Sequence, residues 1–230
     1  AYEIRPRDGS SDVCSSDLSF VSLAHDEKET PVAIKESLPA SLAVRTSDRP
    51  APAVPPENAA TFRYGLKCFF EEGRALAMLS HPNVVRVTNF FRANETVYLV
   101  MRYERGRTLQ EHIQKKTGPL REDWLRATFS QLLNGLREVH SNKLLHLDIK
   151  PGNIYVRNDG NPVLIDFGAA RQTLSAEGLK LPPMYTPGFA SPEHHRDREN
   201  LGPWSDVYSI GARSEEHTSE LQSRGLISYA

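Results

Sequence analysis

The chain has 230 residues, with 28 basic and 29 acidic side chains, a formal net charge of −1, 39% hydrophobic and 25% charged residues. That balance is ordinary for a soluble globular protein and excludes a strongly basic nucleic-acid binder. No apolar run reaches the roughly 20 residues of a membrane span, no secretory pattern opens the chain, and two cysteines, Cys14 and Cys68, give no disulfide framework. A cytoplasmic setting without nucleic acid or a membrane segment is expected.

In chain order, residues 1–18 read as a foreign segment, and so do residues 213–230 at the other end. Arg213 to Ser223 resembles the translation of a sequencing-library adapter, and Ile227 to Ala230 its continuation after a barcode. Ala1 to Ile4 and Ser10 to Leu18 resemble the opposite adapter, with Gly9 as the departure. Both segments are expected to be non-native and are set aside for the fold. Residues 19–212 then hold 24 basic and 22 acidic groups, a net of +2, and Cys68 alone.

Phe20–Ala24 alternates like a strand, Asp26–Thr30 is a polar turn, and Pro31–Lys35 is a second strand. Residues 39–60, with five prolines, predict an irregular excursion with no core of its own. Residues 62–80 carry Phe69, Glu72, Leu76 and Leu79 at helical spacing, with Gly73 weakening the pattern. Val84–Phe90 and Thr96–Met101 read as strands. From Arg121 the stripe Leu125, Phe129, Leu132, Leu133, Leu136 and Val139 predicts a long packed helix. Short strands follow at Asn153–Val156 and Val163–Ile165, then a loop over 171–187, and a last apolar segment from Asp206 to Ala212.

Several short motifs carry chemistry. His146-Leu-Asp148-Ile-Lys150-Pro-Gly-Asn153 sets a carboxylate, a lysine and an amide in one loop. Asp166-Phe-Gly168 follows eighteen residues after Asp148, behind a Val-Leu-Ile strand. Val32-Ala33-Ile-Lys35 puts a lysine on a strand, and Glu72 lies nine residues before His81-Pro-Asn-Val84. Thr186-Pro-Gly-Phe-Ala-Ser-Pro-Glu193 and Ser205-Asp206-Val-Tyr-Ser-Ile-Gly211 complete the series. Moving a phosphoryl group needs oxygen ligands for a metal, a cation on the phosphates and a group to orient the attacking hydroxyl, and these residues have that chemistry. Together the motifs resemble the protein kinase superfamily. Lys35-Glu-Ser-Leu-Pro39, Leu42–Arg45 and Gly168–Gln172 are similar to the bacterial Hanks-type serine/threonine branch.

The resemblance covers nearly all of residues 19–212 and implies an α+β, two-lobed kinase-like fold. Its β-rich N-lobe with one helix would span 19–103, with 39–60 as an irregular insert, and its mainly helical C-lobe 104–212. It implies ATP-dependent phosphoryl transfer to serine or threonine hydroxyls of a protein substrate, with ATP and Mg²⁺. Asp148 would orient the substrate hydroxyl, Lys150 touch the γ-phosphate, and Asn153 and Asp166 hold the metal. Lys35 would contact the α- and β-phosphates and pair with Glu72 in preference to Glu71. Val21 and Ala33 would border the nucleotide, with Met101 at the back of the adenine pocket and Arg102–Tyr103 as the hinge. Thr186 would sit beside Asp148 and Lys150, and Asp206 would brace the catalytic loop through backbone hydrogen bonds.

The chain departs from the family pattern in three places. Leu147 replaces the arginine that reads an activating phosphate, so switching through that contact is not expected. Of the glycine-rich loop only Ser19 and Val21 align. The C-lobe is expected to be cut inside its central helix, depriving Glu193 of its arginine and leaving the chain poorly stable and weakly active. A pseudokinase or nucleotide-binding scaffold and an inactive fragment are the alternatives, and the presence of Lys35, Glu72, Asp148, Asn153 and Asp166 speaks against the first. Cys68 is expected to be a small packed residue, and His194–His195 not to form a metal site because neighbouring side chains point apart.

Overall fold

The computed structural model describes residues 3–4, 14–16, 19–45, 49–115, 120–167, 186, 189–196 and 200–216. The loop expected over 171–187, apart from Thr186, lies outside them, as does most of both end segments. The described residues divide into two units, one running to Ser80 with Arg86–Glu104, the other comprising His81–Val85 and the chain from Arg105 on. Among the described residues no helix is long and apolar enough to cross a membrane.

The first unit is a six-stranded antiparallel sheet with one helix. Strands β1 (Glu3–Ile4) and β2 (Cys14–Ser16) both pair with β3 (Ser19–His25), and the order continues through β4 (Pro31–Ser37), β6 (Thr96–Arg102) and β5 (Val87–Ala93). Asp26 accepts hydrogen bonds from the Lys28 and Thr30 amides in the β3–β4 turn, where Glu29 adopts φ 58°. Strand alternation sorts the side chains into two layers. Ala24, Val32, Ile34, Tyr98 and Val100 form one buried cluster. The other face carries Leu99 and Val97, which pack on Phe69 of helix α1 (Ala59–Met78). Burying a side chain such as Phe69 contributes about 1.5–3 kcal/mol.

Gly73, which weakened the helical pattern, is what lets α1 approach. A Cβ there would lie 2.2 Å from Leu99 Cδ2. The helix ends at Leu79, extended at ψ 137°, two residues before His81, whose following proline disfavours helical backbone.

Residues 39–60 have largely irregular backbone, yet they pack on α1. Ala43 and Leu38 are buried with Phe62 of α1, and Leu42, Val54 and Leu66 pack around them. Val44 and Ala53 form an antiparallel bridge, and Arg45 pairs with Glu36 of β4 while donating to the Pro50 carbonyl at 2.6 Å. Proline prevents regular structure here, but Leu42, Ala43 and Val54 anchor the excursion on the helix. The strand expected over Val84–Phe90 starts only at Val87. Val84 instead bridges Leu164 of the second unit.

The second unit opens with β7 (Gly106–Thr108) and α2 (Leu109–Lys115), neither foreseen, and continues with α3 (Glu122–Ser141), β8 (Ile154–Arg157), β9 (Pro162–Leu164), α4 (Pro192–Arg196) and α5 (Pro203–Glu216). Glu122 and Asp123 stand in the first turn of α3, where the helix dipole favours negative charge. Leu125, Phe129, Leu132, Leu136 and Val139 line its buried face, but Leu133 is 43% exposed, one residue off the stripe. Strands β7, β8 and β9 form a small antiparallel sheet. Helix α5 continues to Glu216, four residues beyond the expected junction at 212.

Candidate active site

The loop between α3 and β8 is built around a buried carboxylate. Asp206 of α5 is fully buried and accepts the consecutive amides of His146 at 2.9 Å and Leu147 at 2.7 Å. Its Oδ2 also lies 2.8 Å from His140 Nε2 at the end of α3, a contact with no local sign in the sequence. These bonds hold Leu147 at φ 62°, a left-handed conformation that costs a non-glycine residue about 1–2 kcal/mol. The Leu147 side chain is buried with Leu145, and Leu201 packs against them.

The turn aims the polar side chains of the loop at one another. Asn153, in the 3₁₀ turn Pro151–Asn153, donates its amide to the Asp148 carbonyl at 2.9 Å and to Asp148 Oδ2 at 3.0 Å. Lys150 Nζ lies 2.7 Å from the same oxygen. The Thr186 hydroxyl donates to Asp148 Oδ1 at 2.8 Å and accepts from Lys150 Nζ at 2.9 Å. A hydroxyl thus sits between a carboxylate and an ammonium.

Asp166 joins this group through its neighbours. The Ile165 amide donates to the Asn153 carbonyl at 3.0 Å. The fully buried His146 ring lies 4.4 Å from the Phe167 ring, centroid to centroid, and its Nε2 is 3.1 Å from the Ile165 carbonyl. Asp166 itself adopts φ 62°, a second left-handed residue at the head of a motif. Such strain persists only where surrounding bonds overdetermine it, and His146 ties both loops together.

In the first unit, register decides which side chains share a face. Val21 pairs with Lys35, Lys35 with Leu99, and Ala33 with Met101. Directly paired residues project to the same side, as do residues two apart, so Val21, Ala33, Lys35 and Met101 lie on the face that carries Leu99 and meets α1. Tyr103 follows the end of β6, partly buried. Lys35 is only 4% exposed, and its amine lies 5.6 Å from the Phe69 ring centroid. Glu72, 2% exposed, stands one turn beyond Phe69 on the same stripe of α1, whereas Glu71 pairs at the surface with Arg74.

Glu193 differs from expectation. It is only partly buried and accepts the Ser205 hydroxyl at 2.8 Å. Burial raises its pKa, but bonds from its own backbone amide and from Ser205 and Ser191 outweigh this and hold the carboxyl below its usual range. His194 is buried with Nδ1 2.9 Å from the Ser191 hydroxyl while His195 is exposed, and burial pushes the His194 pKa down. Cys68 is buried, as a small packed residue would be.

Sequence comparisons place this geometry among known proteins. Sperm motility kinase 2B of Mus musculus is 36% identical over 140 residues, 61% of this chain and 28% of that protein. Serine/threonine-protein kinase Nek1 of Mus musculus is 36% identical over 141 residues, 61% of this chain and 12% of that protein. CBL-interacting protein kinase 33 of Oryza sativa subsp. japonica is 33% identical over 138 residues, 59% of this chain and 30% of that protein. The chain therefore spans less than a third of the length of these curated relatives. The apo form of PpkA-294 superposes with a TM-score of 0.74 at 32% identity, covering 91% of this chain and 72% of that one. The family model for the protein kinase domain matches residues 54–218, and with well over half its length so matched the chain belongs to the protein kinase family.

Proposed function

We propose that this chain carries the catalytic domain of a serine/threonine protein kinase, which moves the terminal phosphoryl group of ATP onto a hydroxyl of a protein substrate. The observation that carries this reading is the Thr186 hydroxyl held 2.8 Å from Asp148 and 2.9 Å from Lys150. A carboxylate at that distance can orient an alcohol and take its proton, and an ammonium on the same oxygen can move to a transferring phosphoryl group.

Asn153 and Asp166 are the proposed magnesium ligands, and their chemistry fits a hard cation. The Asn153 amide nitrogen is committed to Asp148, which leaves its carbonyl oxygen as the group available to a metal. Among the described residues no cluster of three or more His, Cys, Asp or Glu side chains could hold a metal alone. Mg²⁺ binds through one or two protein oxygens plus phosphates and water, a number that Asn153 and Asp166 would supply. When bound, the ion would bridge and neutralise phosphate oxygens. Lys35, positioned with Glu72, is assigned to the α- and β-phosphates. Val21, Ala33 and Met101 are assigned to the nucleotide from their shared sheet face, and Tyr103 from its place after β6. Residues 19–103 and 104–212 are proposed as the two lobes.

The test is transfer of labelled γ-phosphate to a general protein substrate by this chain and by Asp148→Asn. Loss of transfer in the variant, with nucleotide binding retained, supports the assignment. Nucleotide binding without transfer in the unaltered chain would favour the scaffold reading.

A further inference from the structure

The second unit has an open groove of about 810 Å³ between the end of α2, the start of α3 and the β8–β9 turn. It lies within the size range of binding pockets but is lined unlike a typical small-molecule site. Arg107 of β7, Lys115 of α2, Arg121 before α3 and Arg157 of β8 all border it, four cations from four places in a chain whose overall charge is near zero. Asp123 is the acidic side chain in the lining and is engaged by Arg121 through two nitrogens. Glu111 on α2 faces Arg107 and Lys115, but its carboxylate accepts the Thr108 amide at 2.7 Å and the Thr108 hydroxyl at 3.0 Å. Arg157 donates one nitrogen to the Pro82 carbonyl at 2.8 Å. No described ion pair neutralises Arg107 or Lys115 within 4.0 Å.

His112 stands among these charges. It lines the groove with its ring 6.2 Å from that of Trp124, and its pKa is lowered by burial and by Arg107 and Lys115, against Glu111. Leu120, Ala127, Val156 and Trp124 give the same lining an apolar part, beside Asn158 and Gly160.

We infer that this groove docks an acidic peptide segment of the protein substrate, with carboxylates on Arg107 and Lys115 and an aliphatic side chain against Trp124 and Leu120. The inference rests on the proposed kinase activity for the word substrate, but not for the binding itself. Charges contributed by four different segments suit a chain bearing several carboxylates better than one compact anion, and apolar side chains in the same lining suit a peptide. The groove lies wholly in the second unit and includes none of the residues assigned to phosphoryl transfer.

The test uses the full chain and fluorescein-labelled dodecapeptides of repeated Glu-Glu-Leu, Gln-Gln-Leu and Lys-Lys-Leu, read by anisotropy. None has a hydroxyl side chain, so binding is read independently of transfer. The expected result is binding of the Glu peptide alone, weakening with added salt, and weakened about tenfold in Arg107→Glu/Lys115→Glu. The milder Arg107→Gln/Lys115→Gln should lose less, and Lys28→Glu, a charge change in the β3–β4 turn, should lose nothing. Circular dichroism checks that each variant is folded. Equal binding of the Glu and Gln peptides, or equal loss in the groove variants and Lys28→Glu, would overturn the inference. So would tighter binding of a twelve-nucleotide single-stranded RNA with the same residue dependence, which would assign the groove to nucleic acid. If the Glu peptide binds as expected but no γ-phosphate is transferred to any protein, the docking groove stands and the kinase reading fails.

Discussion

Replacing Asp206 by asparagine tests how the loop carrying Asp148 is held. One carboxylate oxygen takes the Leu147 amide at 2.7 Å, and the other takes the His146 amide at 2.9 Å and faces His140 Nε2 at 2.8 Å. An asparagine keeps a single acceptor. Its better orientation retains the two contacts of the second oxygen and turns an NH₂ group toward the Leu147 amide. A charge-assisted bond worth about 1.5–3 kcal/mol is lost, and a buried N–H is left facing another donor. The expected destabilisation is about 3 kcal/mol, a large share of the roughly 5–15 kcal/mol that holds a domain. With a urea slope of about 1–3 kcal/mol per molar, the midpoint should fall by about 1–3 M, read by tryptophan fluorescence. Asp206→Ala, which leaves both amides without an acceptor, should lose more. A midpoint unchanged within about 0.3 M for Asp206→Asn would show that these bonds do not secure the loop.

Other substitutions have opposing terms whose balance can be measured. Gly73→Ala gains about 0.8–1.0 kcal/mol of helix propensity but places a methyl 2.2 Å from Leu99 Cδ2, an overpacking cost of about 1–3 kcal/mol. It should destabilise by thermal melt, and adding Leu99→Ala should reduce the incremental cost. At Leu147 the left-handed backbone inverts the usual order, so Leu147→Gly should be about 1 kcal/mol more stable than Leu147→Ala in the same urea assay. His194 has its pKa lowered from 6.5 by burial, so between its folded value and 6.5 the unfolded chain binds more protons. Stability should therefore fall as pH drops through that window. His194→Gln should flatten the dependence of the melting temperature between about pH 7 and 5.

The site motifs were legible because each is short and contiguous, so covalent spacing alone sets much of its geometry. His146 to Asn153 closes its hydrogen bonds within one loop, and Lys35 follows from strand alternation. Legibility failed where burial depends on distant partners. The proline-rich residues 39–60 announce irregular backbone, but nothing local shows that Ala43 meets Phe62 of α1. Val84 looks like the start of a strand because it is apolar, yet its bridge is to Leu164, eighty residues away. Glu193 looked deprived of a counter-charge, and the Ser205 hydroxyl that it accepts becomes visible only once the chain turns back. Leu133 shows the limit of periodicity, since one apolar residue beside the stripe faces water.

The excursion between β4 and α1 grips both elements that carry the buried Lys35 and Glu72. Arg45 fastens it to Glu36, next in sequence to Lys35, and Tyr98 donates to that glutamate at 3.1 Å. Ala43 and Leu42 fasten it to the helix two to three turns before Glu72. It is therefore a strut. Sliding the helix along the sheet would have to shear an ion pair and open an oily seam in the same movement, so the setting of α1 against β4 is braced by a segment that belongs to neither.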